Sequence, residues 1–220
     1  MAFVSPKTTS SLKLSSPAKL NLALDVLGKR PDGFHELRTI FERIDLCDTI
    51  TLTSNTTGRI RVKCDHPHVP KGPKNLVVRA AQQLQKAYAV GQGVDIHIIK
   101  RIPVAAGLAG GSSNAASVLM GLNRLWHLGL NKKQLAGHAA SLGSDIAFFI
   151  YDTPFAIGLG RGEKIKPLKT GVKLWHVLVT PKVKMYTKEV FACLNLKLPK
   201  KRDNVSICLP YLRKKDFSGL

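Results

Sequence analysis

Acidic and aromatic side chains are scarce in this chain, and cysteine is sparser still. Only 14 Asp and Glu stand against 34 Lys and Arg in 220 residues, a formal net charge of +20. The four cysteines, Cys47, Cys64, Cys193 and Cys208, show no C-x2-C spacing and no paired histidines. That excludes the usual zinc frameworks and a disulfide scaffold, and the thiols read as reduced packing residues of a cytoplasmic protein. No apolar run approaches the roughly 20 residues of a membrane span. The Ser/Thr-rich start, Met1 to Ser11, lacks the continuous apolar core of a secretory signal and reads as a short disordered lead. The charge excess directs attention to anionic partners: nucleic acid, anionic lipid or polyphosphate substrates. Aromatics make up 6% of the chain and seldom interleave with the Lys/Arg clusters at 29–30, 132–133, 200–202 and 213–215. No RNA-recognition or zinc-finger signature accompanies them, so a solvated basic surface is favoured over a nucleic-acid function.

Patterned segments of both kinds are present, without an internal repeat. Residues 12–14 and 20–27 read as extended segments flanking Ser16-Pro17. A turn at 29–33 leads into a third at 34–44. Residues 49–53 and 59–63 alternate with period two and read as half-buried strands, joined through 54–58 as a hairpin. Asn75 is placed to cap a helix whose apolar face is Leu76, Val77, Ala80, Ala81, Leu84 and Tyr88. A strand at 94–100 precedes a helix carrying Ala115, Val118, Leu119, Leu122, Leu125 and Trp126 on one face. A second helix fits 132–142 with Gly143 as its C-cap. Strands at 146–150 and 174–179 and a helix at 187–194 follow. Mixed order without a strict βαβ repeat predicts an α+β fold, with a composition shift near Pro154 as a domain boundary.

The richest stretch is Pro103-Val-Ala-Ala-Gly107-Leu108-Ala109-Gly110-Gly111-Ser112-Ser113-Asn114, lying between a strand and a helix. Glycines there allow close backbone approach, and a helix N-terminus offers unpaired N–H groups and a favourable dipole to an anion. No lysine follows the glycines, so this is not the common P-loop. Nor is the spacing that of a dinucleotide fingerprint. Gly-Gly-Ser-Ser by itself fits a tight, serine-capped turn equally well.

Lys19 and Asn21 lie two apart within an apolar strand and share a face. Asp145 is an isolated carboxylate entering an apolar run, a natural partner for a buried lysine. Each alone reads more simply, as a snorkelling lysine or an N-capping aspartate. Together with the loop they resemble the GHMP kinases, whose second motif is Pro-x3-Gly-Leu-x-Gly-Gly/Ser-Ser-Ser. The resemblance runs over roughly 15–195 and includes Ser16-Pro-Ala-Lys-Leu-Asn-Leu, Pro31-Asp-Gly-Phe-His-Glu-Leu, Asn75-Leu-Val-Val-Arg, Lys100-Arg-Ile-Pro, Leu142-Gly-Ser-Asp and Gly160-Arg-Gly-Glu.

The resemblance implies a two-domain fold. An ATP-binding domain of ribosomal-protein-like, left-handed βαβ type would span 1–153, and a partial C-terminal domain would span 154–220. It implies ATP-dependent phosphorylation of an alcohol, with Asp145 at the acceptor hydroxyl and Lys19 holding it ionised. Pro103, Gly107, Leu108, Ala109, Gly110, Gly111, Ser112 and Ser113 would line the ATP phosphates, with Asn75 and Lys100 on the adenine side. Mg²⁺ would bridge the phosphates, Ser113 being the one side chain offered to it. The Pro-Asp-Gly-Phe-His-Glu-Leu segment points to a branch acting on the 2-hydroxyl of a cytidine diphosphate methylerythritol, in the methylerythritol phosphate route to isoprenoid precursors. There Asn21, Phe34, His35, Thr187 and Phe191 would hold the acceptor, Phe34 standing where the family often has tyrosine. The alternatives are another family kinase of mevalonate or homoserine type, or an RNA-binding protein on the same fold. A monomer or weak dimer without membrane attachment is expected. Ala105, Ala106 and Ala109 occupy positions that are frequently glycine, which alanine tolerates at φ < 0. The family's third glycine-rich motif is missing before Leu220, which suggests a truncated C-terminal domain with Phe217 opening a cut helix.

Overall fold

The computed structural model describes residues 10–181, 187–194 and 203–215. One long antiparallel hairpin organises it. β1 (Ser11–Lys29) pairs along its length with β2 (His35–Asn55), and the 30–34 turn closes through Arg30 N donating to Phe34 O at 2.8 Å. Gly33 takes φ 83° in that turn, a conformation that costs glycine nothing. The pairs of extended segments expected at 12–14 and 20–27, and at 34–44 and 49–53, are thus continuous strands. Pro17 lies within β1 because a bulge at Pro17/Ala18 interrupts the ladder where its missing N–H would have been needed.

β2 is the central strand. Its C-terminal half pairs with β4 (Gly93–Ile99), and its N-terminal half with β5 (Phe155–Gly160), which in turn pairs with β6 (Lys164–Leu168). β3 (Ile60–Cys64) runs parallel to β4 through α1 (Leu76–Ala87), giving the order β3-β4-β2-β5-β6. The 54–58 connection is therefore not a hairpin, because β4 inserts between β2 and β3. The sheet also runs across the 153/154 division through the pairing of β2 with β5.

Helices α1, α2 (Gly110–Leu125), α3 (Lys132–Leu142) and α4 (Ile146–Tyr151) share the main core with the sheet. The core joins Phe41, Ile50, Leu52, Val94, Ile96 and Ile98 to Leu84, Leu119, Leu122 and Phe148, all at most 2% exposed. α3 starts with a capping box between Asn131 and Gln134 and stops at Gly143. The expected strand at 146–150 is helix α4. Its five apolar residues in a row are all buried, and an unbroken apolar run carries no period to separate the two states.

Strand neighbours alternate sides, so Ile40 turns away from Phe41. It joins Ala23 and Phe155 in a second cluster, covered by Val205, Leu209 and Leu212 of α6 (Asn204–Lys214). The expected strand at 174–179 joins no sheet among the described residues. Leu174 packs against this second cluster, while Trp175 and Val177 are almost fully exposed. α5 is Thr187–Ala192. Phe217 lies outside the described residues.

Candidate active site

The glycine-rich loop sits where β4 gives way to α2. Asp48, wholly buried in β2, organises the approach: one carboxylate oxygen accepts from the backbone N–H groups of Arg101 (2.7 Å) and Ile102 (2.8 Å). Its other oxygen accepts from Lys100 Nζ at 2.5 Å, and that ammonium also donates to Ile102 O at 2.8 Å. Lys100 lies against the first turn of α2, since a β-carbon at Gly110 would stand 2.9 Å from its Nζ. Leu108 is buried with Ala18 and Ile102, and Lys19 N donates to Leu108 O at 3.2 Å. One backbone bond therefore ties the loop to the strand beside the candidate lysine.

At the start of α2, Ala109 occupies the cap position without a side-chain cap, and no acidic residue stands in the first turn. The leading N–H groups are left for an external acceptor. β-Carbons at Gly107 and Gly111 would meet open space, Gly111 having only Leu76 Cδ1 at 3.9 Å. This uncapped, unobstructed, carboxylate-free turn fits a polyphosphate. Ala105 and Ala109 have φ of 58° and 54°, and Gly107 has 73°. The expectation that the alanines sit at φ < 0 is corrected at these two positions: both take the left-handed conformation that favours glycine.

Ser112 is half-buried, whereas Ser113 is wholly buried with its hydroxyl 2.8 Å from that of Ser16. Ser16 donates on to Asn114 Oδ1 at 2.8 Å. Asn75 caps α1 by accepting from Val77 N at 3.0 Å and donates to Pro70 O at 2.7 Å. Pro103 stands half-buried at the head of the loop.

Lys19 is 5% exposed, and its Nζ lies 3.6 Å from Asp145 Oδ2. It donates to Asn21 Oδ1 at 2.5 Å and stands 5.2 Å above the Phe41 ring. Asn21 Nδ2 donates to Thr39 Oγ1 at 2.7 Å, and the Thr39 hydroxyl donates to Ala23 O at 2.7 Å. Asp145 occupies the cap position of α4, yet its carboxylate makes no capping bond and faces the lysine instead. The turn between β5 and β6 closes the other side. A β-carbon at Gly162 would lie 3.6 Å from Asp145 Oδ1.

Phe34 and His35 occupy the tip of the long hairpin. Phe34 is half-exposed with the Arg161 guanidinium 4.6 Å over its ring. His35 stacks on Phe191 of α5 at 5.1 Å and 24°. Beside them Arg30 binds Asp32 and Glu36. Desolvation pushes the Asp32 carboxyl up, but the Phe34 amide, Arg30 and the Arg161 charge together hold it below its ordinary value. Thr187 opens α5, and its side chain lies outside the described residues.

The structure thus brings together Lys19, Asn21 and Asp145 beside the loop, and Phe34, His35 and Phe191 at the hairpin tip. Sequence reasoning assigned no role to Thr39, Phe41, Asp48 or Arg161. The signal for Asp48 is a carboxylate standing immediately before the alternating 49–53 segment. For Arg161 it is a place between two glycines in the Gly160-Arg-Gly-Glu segment. Among the described residues no cluster of three His, Cys, Asp or Glu could hold a metal ion, and no helix is long and apolar enough to cross a membrane.

Residues 75–153 match the GHMP kinases N terminal domain. The chain is 44% identical over 210 residues to a 4-diphosphocytidyl-2-C-methyl-D-erythritol kinase of Bacillus cereus, covering 95% of this chain and 72% of that one. The chain belongs to the 4-diphosphocytidyl-2-C-methyl-D-erythritol kinase family of GHMP kinases. The Bacillus cytotoxicus member is 49% identical over 187 residues, which are 85% of this chain and 64% of that relative. The chain therefore spans about two thirds of the length of these family members. A crystal structure of 4-(cytidine 5'-diphospho)-2C-methyl-D-erythritol kinase superposes with TM-score 0.71 at 31% identity, over 93% of this chain and 72% of that one. Homoserine kinase from Cytophaga hutchinsonii superposes at 0.63 with 18% identity, a likeness of fold alone.

Proposed function

We propose that this chain transfers the γ-phosphoryl group of ATP to the 2-hydroxyl of 4-diphosphocytidyl-2-C-methyl-D-erythritol. The observation that carries the reading is the Lys19–Asp145 pair, 3.6 Å apart and joined to the phosphate-type loop by the Lys19 N to Leu108 O bond. Asp145 accepts the hydroxyl proton as the acceptor oxygen bonds to the γ-phosphorus and the bond to the β–γ bridging oxygen breaks, releasing ADP. Lys19 offsets negative charge on the transferred group, while Asn21 fixes the direction of the ammonium. Such a centre works by position and fixed charge, which is what phosphoryl transfer requires.

Residues 103–113 form the phosphate side, Lys100 and Asn75 shape the adenine side, and Mg²⁺ accompanies the nucleotide phosphates. Phe34, His35, Thr187 and Phe191 form the acceptor side, where ring faces suit a pyrimidine. In this reading 1–153 carry the nucleotide loop and the reacting pair, and 154–220 add Thr187 and Phe191 to the acceptor side. The protein would act in the cytoplasm as a monomer or weak dimer, with its basic surface facing solvent.

Steady-state assays of this 220-residue chain with three acceptors, the cytidine compound, mevalonate and homoserine, test the assignment. Asp145→Asn and Lys19→Ala should each lower kcat about a hundred- to ten-thousand-fold with the circular dichroism spectrum unchanged. Turnover of mevalonate or homoserine in place of the cytidine compound would overturn the acceptor, and full activity in Asp145→Asn would overturn the mechanism.

A further inference from the structure

The turn joining β5 to β6 holds a cation that the mechanism leaves unused. Gly160 and Gly162 flank Arg161 at φ of 72° and 102°, conformations that leave the intervening side chain projecting from a tight corner. The corner is fixed by Arg161 N donating to Glu163 Oε2 at 2.6 Å. Among the described residues no carboxylate lies within ion-pair distance of the Arg161 guanidinium. Arg30, in the turn of the β1–β2 hairpin, is instead committed to Asp32 and Glu36. The Arg161 guanidinium lies 4.6 Å over the Phe34 ring, close enough for its charge to act on Asp32 but with no side chain bound to its forked N–H donors among the described residues.

Its position in the site gives those donors a purpose. The residue that follows it abuts Asp145, with the built Gly162 β-carbon 3.6 Å from Asp145 Oδ1, while its head group covers Phe34. Arg161 therefore stands between the end of the site that would hold the reacting hydroxyl and the end that would hold the base. A cytidine diphosphate acceptor reaching both must lay its two phosphates across this turn.

We infer that Arg161 is the residue that binds the diphosphate of the acceptor, an inference that rests on the acceptor proposed above. The planar guanidinium donates to phosphate oxygens in a forked geometry that a lysine ammonium matches only as a point charge. Arg161 thereby makes the site selective for a cytidine diphosphate over an uncharged cytidine derivative.

Calorimetric binding of cytidine and of cytidine diphosphate, with the nucleotide side filled by a non-hydrolysable ATP analogue, reads this without turnover. The native chain should bind cytidine diphosphate at least ~10-fold more tightly than cytidine, the range expected of charge-assisted hydrogen bonds. Arg161→Met should abolish most of that difference while changing cytidine affinity less than about two-fold. Arg161→Lys should restore part of it. Equal weakening of both ligands in Arg161→Met, or an undiminished preference for the diphosphate, would overturn the inference with the acceptor reading intact. A native chain that binds neither ligand would overturn the acceptor reading and this inference with it.

Discussion

Asn21 shows how one neighbour can set the chemistry of a site. The Thr39 hydroxyl spends its proton on Ala23 O and so can only accept from Asn21 Nδ2, which turns the amide oxygen toward Lys19. Thr39→Val removes that constraint, leaves the amide free to flip, and should lower kcat roughly tenfold with the KM for ATP unchanged. Thr39→Ser should retain the native rate, and a Val variant with native kcat would refute the role. Ala109 is a second residue-scale case. It holds a left-handed φ of 54° that costs a non-glycine residue about 1 kcal/mol. Ala109→Gly should therefore raise the unfolding free energy by about 0.5 kcal/mol, read as a higher urea midpoint, the strain relieved outweighing the extra freedom of the unfolded chain. A lower midpoint would show that alanine's contacts with the core matter more than its backbone.

Among the elements, α6 depends most on single polar anchors. Buried Asp25 on β1 accepts from Asn204 N (3.1 Å), Asn204 Nδ2 (2.8 Å) and Val205 N (3.0 Å), fixing the helix start to the sheet. Asp25→Ala leaves those donors unpaired and should cost about 1–3 kcal/mol in equilibrium unfolding. Asp203 caps the same helix, and hydrogen bonds from the Ser206 hydroxyl and amide, with Arg38 beside it, hold its carboxyl below the ordinary value. A depressed carboxyl stabilises above its unfolded value, about 3.9, and loses that contribution as the pH falls through its folded value. Stability of the native chain should therefore fall more steeply below pH 4 than that of Asp203→Asn, and parallel acid limbs would contradict the assignment. α6 was not legible in the sequence, because its apolar face of Val205, Leu209 and Leu212 is narrow and Pro210 interrupts it. α1 and α2 were legible, since each carries a wide apolar stripe that the sheet buries. The 146–150 run is ambiguous because burial on every side leaves helix and strand the same pattern.

At the scale of the whole molecule, one strand does most of the assembly. β2 carries Thr39, Phe41 and Asp48, pairs with β1 that carries Lys19 and Asn21, and meets β4 and β5 at its two halves. Lys19 and Asp145 lie far apart in the chain, so residue chemistry offers them only as natural partners, and it is the family pattern that joins them to the loop in one site. Long-range pairing explains why no role for Asp48 or Thr39 is legible in the sequence, for their partners, which are backbone groups, the Lys100 ammonium and the Asn21 amide, are brought near only by the fold. The glycine-rich loop was legible as a strand-to-helix turn, and the fold adds why it stays open: its first turn is uncapped and the lysine strand is bonded to its backbone. The excess of cations, +20 in all, includes a few with defined partners and many on the exposed surface. The most direct test of the central claim is ³¹P NMR of this chain with ATP, Mg²⁺ and 4-diphosphocytidyl-2-C-methyl-D-erythritol. Stoichiometric ADP and a new phosphomonoester on the acceptor's 2-hydroxyl, both absent in Asp145→Asn, are predicted. An unchanged acceptor spectrum while ATP is consumed with mevalonate or homoserine would contradict it.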